Sequence, residues 1–246
     1  MAEQLAFTRL LNHLFGGLAA SAMHLFGIQA DPATAIDNTF ALEVLVVLGL
    51  IVFFLLVRMS LSVESPNALQ QVAEMLHEFT GTQGEQVIGH EHERFQAFVT
   101  CILLFVLFNN FLGLLMGLIP NLVTPTSQPL VPFGIAILTF LYYNFHGLRV
   151  HKLGYVKQFA GPVWWLIPLM VPVEIVSHLA RMMSLTIRLY ANMLASDLLT
   201  LICFSIMPLI APTIFLGLHF AVSLVQAYVF MLLSMIYLSM AVSHEH

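Results

Sequence analysis

Long apolar runs separated by short polar stretches dominate the chain. A transmembrane helix needs about 20 mostly apolar residues. Five runs approach or exceed this length: residues 41–57, 95–119, 130–145, 163–206 and 212–242. We therefore predict an all-α polytopic membrane protein with about five transmembrane crossings, whose last two runs form a long, strongly tilted helical hairpin.

The fourth run is far longer than one upright helix requires. Its roughly 44 residues would extend about 66 Å as a helix, whereas the hydrocarbon core of a bilayer is about 30 Å thick. The segment must therefore tilt steeply, lie partly along the membrane plane, or break near Pro168 or Pro172. The pattern leaves these alternatives open.

Two further segments have the pattern of helices that lie on the membrane surface. Residues 1–27 are amphipathic, and polar positions interrupt their apolar part, which is atypical of a cleaved signal. Residues 65–80 begin with Ser65 and Pro66, a favourable helix start, and carry apolar side chains at three- and four-residue spacing. We expect this second helix to end at Gly81.

Positively charged residues indicate the orientation of these elements. Arg149, Lys152 and Lys157 follow the third run, whereas residues 119–133 before it carry no charge. Because loops rich in Lys and Arg stay in the cytoplasm, we place the N-terminus outside and the C-terminus in the cytoplasm. Residues 1–246 then form a single membrane domain. It contains an outer interfacial segment (1–40), a first transmembrane helix (41–58), a cytoplasmic interfacial segment (64–94), a transmembrane pair (95–146) and the hairpin (163–243).

Composition supports the membrane assignment and excludes two classes of function. Only 9% of the 246 residues are charged, against about 25% in an average soluble domain, and 59% are hydrophobic. A soluble enzyme and a nucleic-acid-binding protein with a basic patch are therefore excluded. Cys101 and Cys203 lie in apolar runs and predict no disulfide. Residues 90–93, His-Glu-His-Glu, lack the spacing of a helical zinc site, so we expect neither a metal nor a cofactor.

Polar residues inside the last two runs fall on narrow helical faces. At 100° per residue, six polar residues of the fourth run share an arc of about 80°. These six are Glu174, His178, Arg181, Arg188, Asn192 and Ser196. Asp197 lies about 140° away from this stripe. The last run has a second stripe, which consists of His219, Ser223, Gln226, Ser234 and Tyr237. Because charged groups are costly in a membrane, such stripes usually face a bundle interior or a water-filled cavity.

The two stripes fit one antiparallel register. Facing residues of an antiparallel pair have a nearly constant sum of residue numbers, and three polar pairs give sums of about 414–416. These pairs are Arg188 with Gln226, Asp197 with His219, and Arg181 with Ser234. We therefore expect a polar lane between or along the two helices at membrane depth.

Some members of these stripes also have simpler interpretations. Arg181 can extend its charged head to the cytoplasmic interface, and Glu174 can be a structural partner of His178 one turn away. Arg188 has no acidic residue three or four positions away. A permanently charged guanidinium at membrane depth without such a partner favours a partner on another chain or a hydrated pathway.

The sequence around these residues resembles a known family. Residues 184–198 contain Ser-Leu-Thr-Ile-Arg-Leu-Tyr-Ala-Asn-Met and Ala-Ser-Asp-Leu, which resemble the signature of subunit a of bacterial F-type ATP synthases. Residues 219–241 are similar to the last helix of that family through Leu-Val-Gln-Ala-Tyr and Ile-Tyr-Leu-Ser-Met-Ala. Residues 109–126, which contain Gly-Leu-Ile-Pro, resemble the exit of its second span. The resemblance covers most of residues 65–242.

The resemblance implies a stator protein that packs against a rotating ring of c subunits and carries two offset aqueous half-channels. Arg188 takes the place of the essential arginine that faces the ring carboxylates. Four positions match the lining of the outer half-channel: Asn192, Asp197, His219 and Gln226. Glu174 and Ser177 fall near the cytoplasmic half-channel, and we place His178 and Ser184 on the same proton pathway.

The resemblance also implies partners and a location. The expected partners are the c-subunit ring, the b subunits of the peripheral stalk and the lipid bilayer, within a large hetero-oligomeric ATP synthase of the bacterial inner (plasma) membrane, and no nucleic acid. The chain by itself is not expected to hydrolyse ATP. Asp197 stands where many relatives have Glu, and Ala191 where many have Gly. The shorter side chain of Asp197 keeps the carboxylate chemistry.

The physical chemistry of these residues agrees with that mechanism. A ring carboxylate stays protonated in lipid, and the guanidinium of Arg188 favours its ionised form, so the proton is released there. Arg188 also blocks direct leakage because it does not deprotonate, while Asp197 and His219 can relay protons. The alternative is a stand-alone ion-coupled secondary transporter, but the sequence lacks the internal repeat that is frequent in that class. A purely structural membrane subunit leaves Arg188 unexplained.

Overall fold

The described part of the chain is entirely helical. The computed structural model describes residues 4–25, 27, 31–62, 66–89, 91–116, 124–151, 167–206 and 210–242. Within these residues the helices are α1 (Ala6–Leu25), α2 (Asn38–Ser60), α3 (Ala68–Val87), α4 (Glu93–Met116), α5 (Leu130–His151), α6 (Ile167–Ile206) and α7 (Ile210–Val242). A short 3-10 turn, Pro125–Ser127, precedes α5.

Five of the described helices are long and apolar enough to cross a membrane. The spans are Asn38–Ser60, Glu93–Leu115, Leu130–Val150, Pro168–Ser205 and Thr213–Val242. This confirms the prediction of an all-α polytopic membrane protein with five crossings. The first span begins at Asn38, three residues before the apolar run, because the carboxylate of Asp37 caps the helix and accepts a hydrogen bond from the backbone N–H of Asn38 at 2.7 Å.

The fourth predicted run is one continuous helix within the described residues. α6 has 40 residues and contains Pro172 in its second turn. A proline so close to the helix start removes only one backbone hydrogen bond, and the helix continues through it without a break. Its length of about 60 Å is twice the thickness of a hydrocarbon core, so an upright position in the bilayer is excluded.

The apolar core lies between α4, α5, α6 and α7. Leu185, Leu189 and Met193 recur every four residues on one face of α6 and are buried. They form one cluster with Phe230 and Met231 of α7. The rest of α6 stays open: only 17% of its most apolar stretch is buried, against 44% for α7. One narrow stripe therefore attaches α6 to the bundle.

One end of the bundle is formed by the start of α4 and the ends of α5 and α7. Phe95, Tyr143, Leu238, Ala241 and Val242 pack there into a second buried cluster. A helix start meets two helix ends at this point, so α4 runs antiparallel to α5 and α7. The start of α4 and the ends of α5 and α7 therefore lie at the same end of the bundle.

α3 packs on α4 and extends beyond its predicted end. The prediction that it stops at Gly81 is wrong, because the helix continues to Val87. Gly81 serves a close approach: a Cβ there would lie 3.0 Å from Nε2 of Gln96 on α4. The Gln96 amide donates a hydrogen bond to the backbone carbonyl of His77 at 2.6 Å. The missing side chain of Gly81 thus lets the two helices approach closely.

The predicted N-terminal helix is present as α1. The side-chain amide of Asn12 accepts a hydrogen bond from the backbone N–H of Ile36 at 2.9 Å and donates one to its carbonyl at 3.1 Å. α1 is therefore fastened to the segment that leads into α2. Several residues used in the sequence predictions lie outside the described residues: Ser65, His90, Pro120, Lys152, Lys157 and residues 163–166.

Candidate functional site

Asp197 on α6 is held by the 3-10 turn that precedes α5. The hydroxyl of Thr124 donates a hydrogen bond to Oδ1 of Asp197 at 2.8 Å. The hydroxyl of Ser127 donates to the backbone carbonyl of Thr124 at 2.7 Å, which fixes the turn. On α4, Gly113 packs so closely on Thr124 that a Cβ would overlap with its methyl group. α4 and the turn together therefore position this carboxylate.

His219 on α7 is buried beside Asp197, and the two side chains interact electrostatically. The pairing agrees with the predicted register. Oδ2 of Asp197 and Nε2 of His219 are buried and form no hydrogen bond with the described residues. Each group therefore keeps an unused proton-binding or proton-donating position, which a water molecule can complete.

Gln226 on α7 is bonded to α6 one turn away from the predicted partner. Its Oε1 accepts a hydrogen bond from the side-chain amide of Asn192 at 2.9 Å, whereas the register paired it with Arg188. Arg181 lies over the ring of Tyr237, with its guanidinium carbon 5.6 Å from the centroid, where the register predicted a partner at Ser234. Packed helices cross at an angle, so a constant register holds only near the crossing point.

Further polar groups of α4 and α7 extend the cluster around Asp197 and His219 into the core. The amide of Asn110 donates to the backbone carbonyl of Ser223 at 3.5 Å, and Asn109 is buried next to it in sequence. Five buried side-chain atoms here, one of them in the 3-10 turn, have no hydrogen-bond partner among the described residues. They are Oδ1 of Asn109, Oδ1 of Asn110, Oγ1 of Thr126, Oγ of Ser223 and Nε2 of Gln226. Buried polar groups are nearly always satisfied, so the cluster has the chemistry of a hydrated path.

Arg188 lies on the open face of α6, away from the buried stripe. Its guanidinium donates a long hydrogen bond, 3.4 Å, to the hydroxyl of Ser184 one turn earlier. It forms no ion pair with any of the described residues. A charge that is only weakly held within its own chain is available to a partner outside it.

A second polar cluster lies near the start of α6. Nε2 of His178 is 3.3 Å from Oε1 of Glu174, and Nδ1 of the same ring is 2.8 Å from the hydroxyl of Tyr143 on α5. Glu174 is partly exposed, whereas the other two residues are buried. Ser177 is half-buried, and its hydroxyl forms no hydrogen bond with the described residues. Of the residues predicted here, the structure joins Glu174 to His178 but leaves Ser177 apart.

Sequence reasoning missed several residues of both clusters. Asn109 and Asn110 carried a usable signal, because two amides inside an apolar run are costly unless they face polar groups. Thr124 and Tyr143 carried none. Threonine and tyrosine are ordinary residues at the edges and ends of membrane spans, and only the folded chain brings these two to Asp197 and His178.

Comparison with known proteins decides the family. The sequence profile of the ATP synthase A chain matches residues 40–239. The chain belongs to this family. The ATP synthase subunit a of Koribacter versatilis is 45% identical to this chain, and the alignment covers 100% of both. That of Solibacter usitatus is 44% identical and covers 93% of this chain and 98% of its own length. That of Solidesulfovibrio magneticus is 33% identical, with 90% and 89% covered.

Membership of the ATP synthase A chain family settles two coarser points. The chain is a multi-pass membrane protein and a subunit of a multi-subunit complex. The resemblance drawn from residues 184–198 is thereby confirmed, and a stand-alone secondary transporter is not favoured.

Proposed function

We propose that this chain is the proton-translocating stator subunit of the ATP synthase membrane sector, and that Arg188 separates two half-channels that load and unload the carboxylates of a c-subunit ring. The ring would turn past the open face of α6, and proton flow would thereby be coupled to ATP synthesis. The family supports the stator function, and the arrangement of polar groups on α6 and its neighbours supports the half-channels.

One observation carries the proposal: two separate polar clusters flank Arg188 along a single helix. Asp197 lies nine residues after it, about 14 Å along the axis, and Glu174 lies fourteen residues before it, about 21 Å. Neither polar cluster includes Arg188. Protons that enter at one cluster and leave at the other would therefore have to pass the arginine on a carrier, and a ring carboxylate is such a carrier.

The charge of Arg188 explains why the carrier would exchange its proton there. A guanidinium remains protonated under all physiological conditions, so it favours the ionised form of a carboxylate that comes close. The same permanent charge repels protons and prevents direct passage between the clusters. A lysine is a poor substitute, because an ammonium loses its proton more readily when it is desolvated.

The open face of α6 has the properties expected of a surface for another helix. Ile187 is 53% exposed and Ile202 51%, and the small residues Ala191 and Ala195 are exposed on the same face as Arg188. Small residues let helix backbones approach closely in membranes, where packing drives association. We propose the c ring as the occupant. We also propose the b subunits of the peripheral stalk as partners, and this part rests on the family resemblance.

The orientation of the chain is also part of the proposal. Arg58 lies in the last turn of α2, Arg94 at the start of α4 and Arg149 near the end of α5. By the chain order these three positions belong to one end of the bundle, and the positive-inside rule makes that end cytoplasmic. The N-terminus would then lie outside and the C-terminus inside, with Glu174 on the cytoplasmic side of Arg188 and Asp197 on the outer side.

The test is ATP-driven proton pumping in inverted membrane vesicles that contain the complex. Arg188→Ala should abolish pumping while the complex still assembles, and Arg188→Lys should fail as well. Arg58→Ala removes the same side chain from an exposed position outside both clusters and should pump normally. Normal pumping by Arg188→Ala would refute the proposal.

A further inference from the structure

Tyr143 is buried at the proposed cytoplasmic end of the bundle. Its hydroxyl contacts the cluster formed by Glu174 and His178, which we call the inner polar cluster. Its side chain is 2% exposed, and its hydroxyl lies 2.8 Å from Nδ1 of His178. It comes from α5, whereas the other members of the cluster belong to α6. The pattern of polar residues along α6 therefore could not predict that Tyr143 belongs to the cluster.

The two polar neighbours of His178 together fit one tautomer of its ring. In a neutral imidazole one nitrogen donates and the other accepts. If the tyrosine hydroxyl donates to Nδ1, the proton resides on Nε2, which is 3.3 Å from Oε1 of Glu174. The opposite tautomer would direct a lone pair at an ionised carboxylate. Glu174 thus favours the proton on Nε2, and the Tyr143 hydroxyl can complete this tautomer by donating to Nδ1.

Aromatic packing fixes the ring plane as well. The Tyr143 and His178 rings are nearly parallel, with an interplanar angle of 19° and centroids 5.9 Å apart. Phe140 packs edge-on against His178 at 6.1 Å, and Tyr237 of α7 lies 6.2 Å from Tyr143. A histidine held on both nitrogens and between rings has little freedom to rotate.

We propose that Tyr143 is a positioning residue of the inner half-channel, which holds the exchangeable proton of His178 on Nε2, facing Glu174. The inference rests on the proposed function, because it assumes that protons leave through this pair. Tyr143 acts through His178 and does not carry the proton to the cytoplasm. Its removal should allow the imidazole to change tautomer and orientation, so that the contact with Glu174 is made only part of the time.

Among the described residues, the charged and titratable groups around His178 come from three helices. Glu174 and Arg181 belong to its own helix α6 and both act on its charge. Tyr143 approaches from α5, and Tyr237 of α7 lies beside it. A change at Tyr143 alone leaves the charges of Glu174 and Arg181 in place. We therefore expect an altered dependence on pH from the position of the imidazole and not from a change in these two charges.

The test is passive proton conductance of inverted vesicles that contain the complex without its ATP-hydrolysing head. Conductance is normalised to the amount of this chain in the membrane and measured while the pH is varied on each side separately. Tyr143→Phe should lower conductance about fivefold, the effect of one net hydrogen bond, and should alter the profile only when the pH of the cytoplasmic face is varied. Tyr142→Phe removes the same hydroxyl from the adjacent position, where the ring stacks on Phe98 at 3.6 Å, and should match the wild type.

A second variant distinguishes a failure of the role of Tyr143 from a failure of the proposed inner half-channel. His178→Gln should lower conductance, and adding Tyr143→Phe to it should cause no further loss, because the proposed role of Tyr143 is to position the histidine. Reduced conductance in His178→Gln with a normal profile in Tyr143→Phe, or additive losses in the double variant, would overturn the role of Tyr143 alone. Wild-type conductance in His178→Gln and in Glu174→Gln would instead overturn the inner half-channel.

Discussion

Gly113 on α4 controls the position of Asp197 although it carries no side chain. A Cβ at this position would overlap with the methyl group of Thr124 and would lie 2.7 Å from its hydroxyl oxygen and 2.8 Å from its Cβ. Since the Thr124 hydroxyl donates a hydrogen bond to Asp197, Gly113→Ala should displace this donor and leave Ser127 as the nearby hydroxyl. The perturbation thus reaches the outer cluster without altering any of its polar groups.

The expected loss exceeds the gain that an alanine brings to a helix. Replacing glycine by alanine inside a helix stabilises it by about 1 kcal/mol. Overpacking costs about 1–3 kcal/mol, and losing a hydrogen bond to a charged group costs about 1.5–3 kcal/mol. The helix should therefore remain intact while the site is disturbed. If the disturbance of Asp197 amounts to about 1.4 kcal/mol, proton conductance falls about tenfold.

Passive proton conductance of stripped vesicles measures this effect. Gly113→Ala should reduce conductance towards the level of Asp197→Asn, which removes the titratable group itself. Gly49→Ala on α2, where a Cβ would meet nothing within 4 Å, is the matched control and should conduct normally. Thr124→Ser in the Gly113→Ala background removes the methyl group, which is the closest overlap, but keeps the hydroxyl and the Cβ that lie within 2.8 Å, so it should restore conductance in part. Normal conductance in Gly113→Ala, or no recovery with serine, would refute the reasoning.

Two further predictions concern contacts between helices. Asn192 and Gln226 share one hydrogen bond, so the second of the two changes to alanine should cost less than it does alone. The conductance of the double variant should be about fivefold higher than the two single losses multiplied together predict. Losses that simply multiply would contradict the contact. The hydroxyls of Thr80 on α3 and Thr100 on α4 are 3.0 Å apart, so cysteines at both positions, in a background without native cysteines, should form a disulfide that thiol labelling detects. The pair Thr82→Cys with Thr100→Cys should remain reduced, because Thr82 is exposed and lies about 200° around α3 from Thr80.

The helices could be predicted from the sequence because their signals are local. A run of about 20 apolar residues satisfies its own backbone and needs no information from the rest of the chain. The face of α6 that bears Arg188 could be predicted for the same reason, since a helical repeat fixes the directions of all its side chains. The end of α3 was placed too early, because Gly81 is a typical helix stop, whereas the helix continues to Val87 and a later glycine, Gly89, has the positive φ, +89°, of a helix end.

The contacts of the site were predictable only where both partners were conspicuous. Asp197 and His219 could be paired because each is an unusual residue inside an apolar run. Thr124 lies 73 residues from Asp197, and Tyr143 lies 35 residues from His178, and neither has an unusual composition around it. The predicted partner of Gln226 was wrong by one helical turn. A constant sum of residue numbers assumes parallel helix axes, whereas packed helices cross at an angle.

The division of α6 into two faces connects the fold to the proposed function. Leu189 is fully buried, whereas Arg188, its neighbour in sequence, lies on the open face. A shift of the helix by one residue would bury the guanidinium in the apolar core at a cost of several kcal/mol, so the core stripe itself fixes the direction of the charge. The long contact with Ser184 leaves that charge available to an outside partner. Packing therefore directs the arginine outward, and in the proposed function a moving carboxylate at the open face would supply the counter-charge that the described part of the chain lacks.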